Sequence, residues 1–176
     1  MLKRKLCSLD LETLGTRPGD TILSIGACLF DVEQGIYSEM HLTINQESSK
    51  AAGLRAQKST IEWWGNQAPE AKAAAFKGEF SLETALKMFS MWLPEDTLVY
   101  GNGANFDNAL LGAAYRAIKQ EQPWKHWNDR CYRTITAMFM KFKTERVGTY
   151  HNALDDAKTQ ALRLIAMSKE SGFVLK

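Results

Sequence analysis

Ser8-Leu9-Asp10-Leu11-Glu12-Thr13 alternates apolar and polar side chains with the period of two that marks a β-strand. Leu6 is out of step, but Cys7, Leu9 and Leu11 share one face while Ser8, Asp10 and Glu12 share the other. The leucines anchor the strand in a core, and the opposite face then carries two carboxylates side by side on a rigid element. Outward from this strand, Arg17-Pro18-Gly19-Asp20 is a turn signal. Residues 21–30 are apolar nearly throughout, as in a strand buried on both faces. Residues 36–45 read as a third strand nearer an edge, and the three predict an antiparallel meander.

Residues 46–58 are polar and rich in Ala, Gly and Lys, which predicts a mobile loop. Ser59 or Thr60 is placed to cap a short helix holding Ile61, Trp63 and Trp64, and Pro69 to open the next. Ser81 suits the N-cap of a helix over 82–93, with Leu82, Leu86, Phe89 and Leu93 on one stripe. A short strand over 97–100 and a glycine-bearing turn lead to a helix over 106–118. An aromatic loop follows at 120–129, with Trp124 and Trp127 as packing or interface residues, then helices over about 132–142 and 152–168. Three strands, helices, a strand and more helices predict an α/β fold with a mixed sheet.

A length of 176 residues suits one domain spanning 1–176. With 45% hydrophobic and 24% charged residues, the composition is that of a globular protein and excludes a disordered chain. The apolar stretches are too short to cross a bilayer, and the basic start running into an acidic strand is unlike a signal peptide. Three cysteines without C-x-x-C spacing exclude a disulfide framework and a structural zinc site, so a reduced, cytoplasmic setting is expected. A net charge of +2 permits a nucleic-acid partner without requiring one.

The chemistry must come from a constellation: Asp10 and Glu12, Asp107 in Asn105-Phe106-Asp107, and His151 with Asp156 in His151-Asn152-Ala153-Leu154-Asp155-Asp156. Each member alone has an ordinary explanation. An acid in a helix's first turn complements the dipole, an Asp-x-Glu strand can face solvent, and a lone histidine is commonly a surface residue. Asp155 stays with that explanation because its spacing from His151 does not match. Together they describe carboxylates that repel unless cations neutralise them, plus an imidazole suited to accept a proton near neutrality. Oxygen donors of this kind suit Mg²⁺ or Mn²⁺, and two such ions activate a water and stabilise charge in phosphodiester hydrolysis.

In that order and spacing the motifs resemble the DEDD-type 3′→5′ exonucleases of the histidine subclass, which have a ribonuclease-H-like mixed β-sheet flanked by helices. The framework covers Asp10 to Asp156. The segments Ser59–Ala71, with its Trp63-Trp64 pair, and Gly101–Asp107 are further similar to phage-type exodeoxyribonucleases and to exoribonucleases acting on adenine-rich RNA. The resemblance implies that Asp10, Glu12, Asp107 and Asp156 bind two Mg²⁺ or Mn²⁺ ions and that His151 is the general base. It implies release of nucleoside 5′-monophosphates from a 3′ end, with DNA favoured and RNA the alternative polymer. Thr13 and Leu14 would lie beside the terminal nucleotide, Leu14 as a wedge against its base. Trp63 or Trp64 would stack on a base, one of them being core, and Phe106 would stack or pack beneath the metals. Lys141, Lys143 and Arg146 are expected either to attract phosphates or to form a solvated basic loop. A homodimer and a bacterial or phage-infected cell follow from the same resemblance. One position departs from it: Cys131-Tyr132-Arg133-Thr134 has cysteine where an acid is usual, which leaves the quartet intact. A catalytically inactive binding module on the same fold is the reading from another class, and the intact acids and His151 speak against it.

Overall fold

The computed structural model describes residues 4–103, 105–142 and 144–176. The strands β1 (Leu6–Thr13), β2 (Ile22–Asp31) and β3 (Gly35–Thr43) form the expected antiparallel meander. On the other edge of β1, β4 (Leu98–Gly101) runs parallel to it, and β5 (Asp129–Cys131) runs parallel to β4. Among the described residues the sheet is therefore mixed, in the order β3-β2-β1-β4-β5.

Every residue of β1 is buried, because helices cover both faces of its sheet. On one face Cys7, Leu9 and Leu11 join Ile25, Ala27 and Val99 against α4 (Leu82–Trp92) and α5 (Asp107–Ala117). On the other, Leu6, Phe30, Leu98 and Tyr100 pack on Tyr132 of α6 (Tyr132–Met138) and on Ala161, Leu164 and Ile165 of α7 (Ala153–Ser171). That arrangement accounts for Leu6. It shares a face with Asp10 and Glu12, but lies beneath the apolar later turns of α7, whereas the two acids lie near its N-terminus.

Gly26 sets how closely that N-terminus approaches. It pairs with Asp10 across the β1–β2 ladder, and a Cβ there would sit 2.0 Å from the carbonyl carbon of Ala153. Backbone cannot yield as a flexible side chain would. Gly26→Ala is expected to cost about 1–3 kcal/mol, as overpacking does, by lifting the start of α7 off the sheet. Denaturant unfolding measures this directly, and unchanged stability would mean that the helix is not seated through this contact.

Several expectations need correction. The segment predicted as a mobile loop contains α1 (Gln46–Ala51), whose N-cap Asn45 accepts from the Ser48 amide at 3.1 Å. Its polarity reflects an almost wholly solvated short helix rather than absence of structure. Helix α2 (Lys58–Gly65) begins before Ser59 and Thr60, and its N-cap Gln57 makes no side-chain cap bond. Proline does open α3 (Pro69–Ala75), as expected. The aromatic loop holds a 3₁₀ turn (His126–Asn128) and then β5, a strand too short to show alternation. Helix α6 ends at Met138 rather than near 142, and α7 continues to Ser171, where Gly172 at φ 72° terminates it. Trp124 is packing, not interface: it is buried against Phe89 and Tyr115 and donates to Asp129 Oδ1 at 2.7 Å. Trp127 is exposed. No described helix is long and apolar enough to cross a membrane.

Candidate active site

Three elements converge at the C-terminal end of β1. Asp10 and Glu12 project from that strand, 9% and 7% exposed. Asp107 opens α5 directly after β4 and is 1% exposed. Its Oδ1 accepts from the Leu11 amide at 3.1 Å and its Oδ2 from the Asn102 amide at 2.6 Å. Asp107 thus ties the β4–α5 junction to the strand that carries the other acids. Gly101 allows this proximity, since a Cβ there would lie 2.2 Å from Asn108 Oδ1 and 3.0 Å from Asp107 Cβ.

The third element is the entry to α7. Asn152 caps it by accepting from the Leu154 and Asp155 amides. His151 just before it has φ 60°, a left-handed conformation that histidine tolerates better than most residues. That turn lets the His151 amide donate to Asp156 Oδ2 at 3.0 Å, while its ring meets the Trp63 ring with centroids 4.8 Å apart. Asp155 instead accepts from the Thr149 amide at 2.8 Å and so tethers the preceding loop, consistent with its exclusion from the constellation.

A cleft of about 480 Å³ opens over these groups, with Asp10, Glu12, Thr13, Trp63, Phe106, His151 and Asp156 on its walls. Thr13, Trp63 and Phe106 thus line this cleft, whereas Leu14 and Trp64 do not. Both are buried in a small cluster with Leu23, Ala71 and Ala75, where Trp64 Nε1 donates to the Thr13 carbonyl at 2.8 Å. Their contribution is to hold the end of β1 in place: Leu14, expected as a wedge, is buried in this cluster, and Trp63 is the available tryptophan, 41% exposed. Of the basic residues, Lys141 is exposed, Lys143 lies outside the described residues, and Arg146 reaches Asp156 Oδ1 at 2.7 Å.

Gln160 escaped the sequence reading. One turn beyond Asp156, it donates from Nε2 to Asp10 Oδ1 at 2.7 Å and joins α7 to β1 inside the site. The i, i+4 spacing from Asp156 was the available signal, since it places both on one helix face. Thr16, Ser59 and Thr60 on the cleft wall had no comparable signal.

Burial dominates the electrostatics. It pushes the Asp10 carboxyl well up, and Asp107, Glu12 and Asp156 push it further. Burial, with Asp156 and Asp107, raises Glu12 to about 8, against which Arg146 acts. Burial raises Asp107 to about 7 although backbone hydrogen bonds, those from Asn102 and Leu11 foremost, hold it down. An acid whose native pKa exceeds its unfolded value keeps its proton on folding. Its stabilisation is complete below the unfolded value, about 4, and is lost as pH rises through the native one. Without metal, the melting temperature is accordingly expected to fall between about pH 5 and 8, and a divalent cation should restore it most at the alkaline end. A thermal-melt series with and without Mn²⁺ tests this; a metal-free melting temperature that rises across that window contradicts it.

The donor set fits a hard divalent cation. Glu12, His151 and Asp156 each offer a ligand atom, all within 4.8 Å of one another, and Asp10 and Asp107 adjoin them. Carboxylate oxygens suit Mg²⁺ or Mn²⁺, and a cation supplies the positive charge these buried acids lack.

Cys131, the departure noted in the sequence, is the N-cap of α6, where its Sγ accepts from the Thr134 amide at 3.4 Å. A thiol is a poor acceptor, whereas an Asp at this place both caps and complements the dipole. Cys131→Asp should raise stability by about 0.5–2 kcal/mol in denaturant unfolding; no gain would show that the cap geometry is not limiting.

Known proteins resemble this chain in sequence and in fold. The chain is 23% identical over 154 residues to an exodeoxyribonuclease of Enterobacteria phage T4, covering 72% of this chain and 68% of that protein. Among solved structures, cell-death related nuclease 4 (CRN-4) superposes with a TM-score of 0.61 at 13% identity, covering 94% of this chain. Exonuclease I of E. coli, in complex with a dA13 oligonucleotide, superposes with a TM-score of 0.60 at 17% identity over 95% of this chain. The chain spans 64% of the first and 41% of the second of these structures, and at such identities the likeness shows the ribonuclease-H-like fold. Residues 5–167 match the family described as the 3′-5′ exoribonuclease Rv2179c-like domain. With nearly the whole chain inside that match, this protein belongs to the Rv2179c-like family of metal-dependent 3′-5′ exonucleases.

Proposed function

We propose that this protein is a two-metal 3′→5′ exonuclease, one domain over 1–176, that removes nucleoside 5′-monophosphates from single-stranded nucleic acid. The observation that carries the reading is the convergence of three elements: Asp10, Glu12, His151 and Asp156 line one cleft, and buried Asp107 is bonded to the Leu11 and Asn102 amides of its wall. Asp10, Glu12, Asp107 and Asp156 would hold two Mg²⁺ or Mn²⁺ ions. When bound, such ions stabilise charge on the attacking and leaving oxygens of a phosphodiester. His151 takes the proton from the attacking water. Its amide bond to Asp156 and its edge contact with Trp63 fix where the imidazole stands.

The cleft's size supports attack at an end. A volume of about 480 Å³ is in the range that holds one small ligand, so it admits a terminal nucleotide rather than a passing duplex. Trp63 and Phe106 offer aromatic faces on its walls, and base stacking on such a face contributes about 1–3 kcal/mol. Ile61 also leaves apolar surface on α2, outside the cleft, that a homodimer would cover.

DNA is the favoured polymer, supported by the alignment to the phage T4 exodeoxyribonuclease. RNA is the second reading, supported by membership in a family of 3′-5′ exoribonuclease domains. The 2′-hydroxyl separates them through local contacts. Matched 5′-labelled DNA and RNA oligonucleotides, single- and double-stranded, incubated with Mg²⁺, decide it. Faster shortening of single-stranded DNA is expected; faster shortening of RNA selects the second reading, and cleavage of neither removes both.

A further inference from the structure

Arg146 is bound to the site in a way the reaction does not require. Its Nη1 donates to Asp156 Oδ1 at 2.7 Å, with the two side chains 20% and 21% exposed. Its Nη2 donates to the Thr149 carbonyl at 2.6 Å, and its guanidinium lies 3.8 Å from the centroid of the Tyr150 ring. The Nε is buried without a hydrogen-bond partner. A carbonyl and an aromatic face on its own loop thus hold this cation against one carboxylate oxygen. The loop is itself pinned to α7 by Val147 N–H to Thr159 Oγ1 at 3.1 Å and by Thr149 N–H to Asp155 Oδ2 at 2.8 Å.

The oxygen it occupies matters. Asp156 lines the cleft, and with Oδ2 accepting from the His151 amide and Oδ1 from Arg146 both oxygens of this carboxylate are engaged before any cation arrives. A guanidinium and a divalent cation on the same oxygen would repel at contact distance, in a site whose burial strengthens the repulsion. The same guanidinium opposes the rise in the Glu12 pKa, so its charge acts on more than Asp156.

We propose that Arg146 is the resident counter-cation of the metal-free site: it holds Asp156 Oδ1 until a divalent cation binds, and the cation's affinity is set in competition with it. The inference rests on the metal reading above. In the metal-free protein Arg146 offsets part of the repulsion among four clustered carboxylates. On metal loading it gives up Asp156 and stays tethered at the cleft rim by Thr149 and Tyr150.

Calorimetric titration of Mn²⁺ into the metal-free protein at fixed pH and ionic strength tests this on the wild type, Arg146→Ala and Arg146→Lys. Arg146→Ala is expected to bind Mn²⁺ about five- to tenfold more tightly, the scale of a part-exposed charge pair that need no longer be broken. It should also melt lower than wild type without metal, so that Mn²⁺ raises its melting temperature by more. Arg146→Lys keeps the charge but not the two-pronged hold on Asp156 and Thr149. Its affinity should lie nearer that of Arg146→Ala. Affinity equal to wild type in Arg146→Lys would reduce the effect to long-range repulsion and overturn the proposal, as would unchanged or weaker binding in Arg146→Ala. Absence of Mn²⁺ binding in all three proteins would instead bring down the metal reading itself.

Discussion

Asp10→Asn is expected to slow cleavage by about 10³-fold, on the scale of groups that hold transition-state charge, and also to raise the metal-free melting temperature at pH 8. The two effects share one cause. Asp10 is buried among Glu12, Asp107 and Asp156, all of which raise its pKa, so its charge is unfavourable to the fold and useful only when a cation neutralises it. The amide is nearly isosteric, and its oxygen can still accept from Gln160 Nε2. For a chain of this size each kcal/mol regained shifts the melting temperature by about 2–4 °C. Asp107→Asn is a less clean test. Both Asp107 oxygens accept from backbone amides, so an NH₂ group would face the N–H of Leu11 or Asn102 and cost about 1–3 kcal/mol. Activity assays with paired melts on Asp10→Asn separate the outcomes. Near-normal turnover removes Asp10 from the site, and a lower melting temperature at pH 8 contradicts the electrostatic argument.

Replacing His151 is expected to cut the rate by about 10²–10⁴, the usual contribution of general-base catalysis. The choice of substitute matters because His151 has φ 60°. Alanine is strained there, whereas asparagine enters the left-handed region readily. His151→Asn should therefore lose activity as fully as His151→Ala while melting closer to wild type. Initial rates, with melts of both variants, test the role. An unchanged rate would leave His151 as a group that only positions Asp156 through its amide.

The central strand and the constellation were legible in the sequence because each rests on local pattern. Strand alternation put Asp10 and Glu12 on one face, and the glycine-bearing turn before one helix and the periodic start of another put Asp107 and Asp156 in helix first turns. Contacts between elements were not legible. The choice between Trp63 and Trp64 depended on how α2 docks on β1, and only the bond from Trp64 to the Thr13 carbonyl decides it. Leu14 is core because Trp64 covers it, a fact of packing that no turn signal carries. Gly26 looks like any strand glycine until the backbone of α7 lies against it. Arg146 was visible as a charge but not as a partner of Asp156, since nine intervening residues fold back to bring the two together. The short elements α1 and β5 escaped for another reason: six and three residues are too few to show a period.

The most direct measurement is a time course on a 5′-end-labelled single-stranded oligonucleotide, run with Mg²⁺ and again after EDTA. The expected result is a ladder that shortens one nucleotide at a time from the 3′ end, stops with EDTA, and is absent for Asp10→Asn. Cleavage that persists in EDTA, or products cut first at internal positions, would contradict a metal-dependent exonuclease working in this cleft.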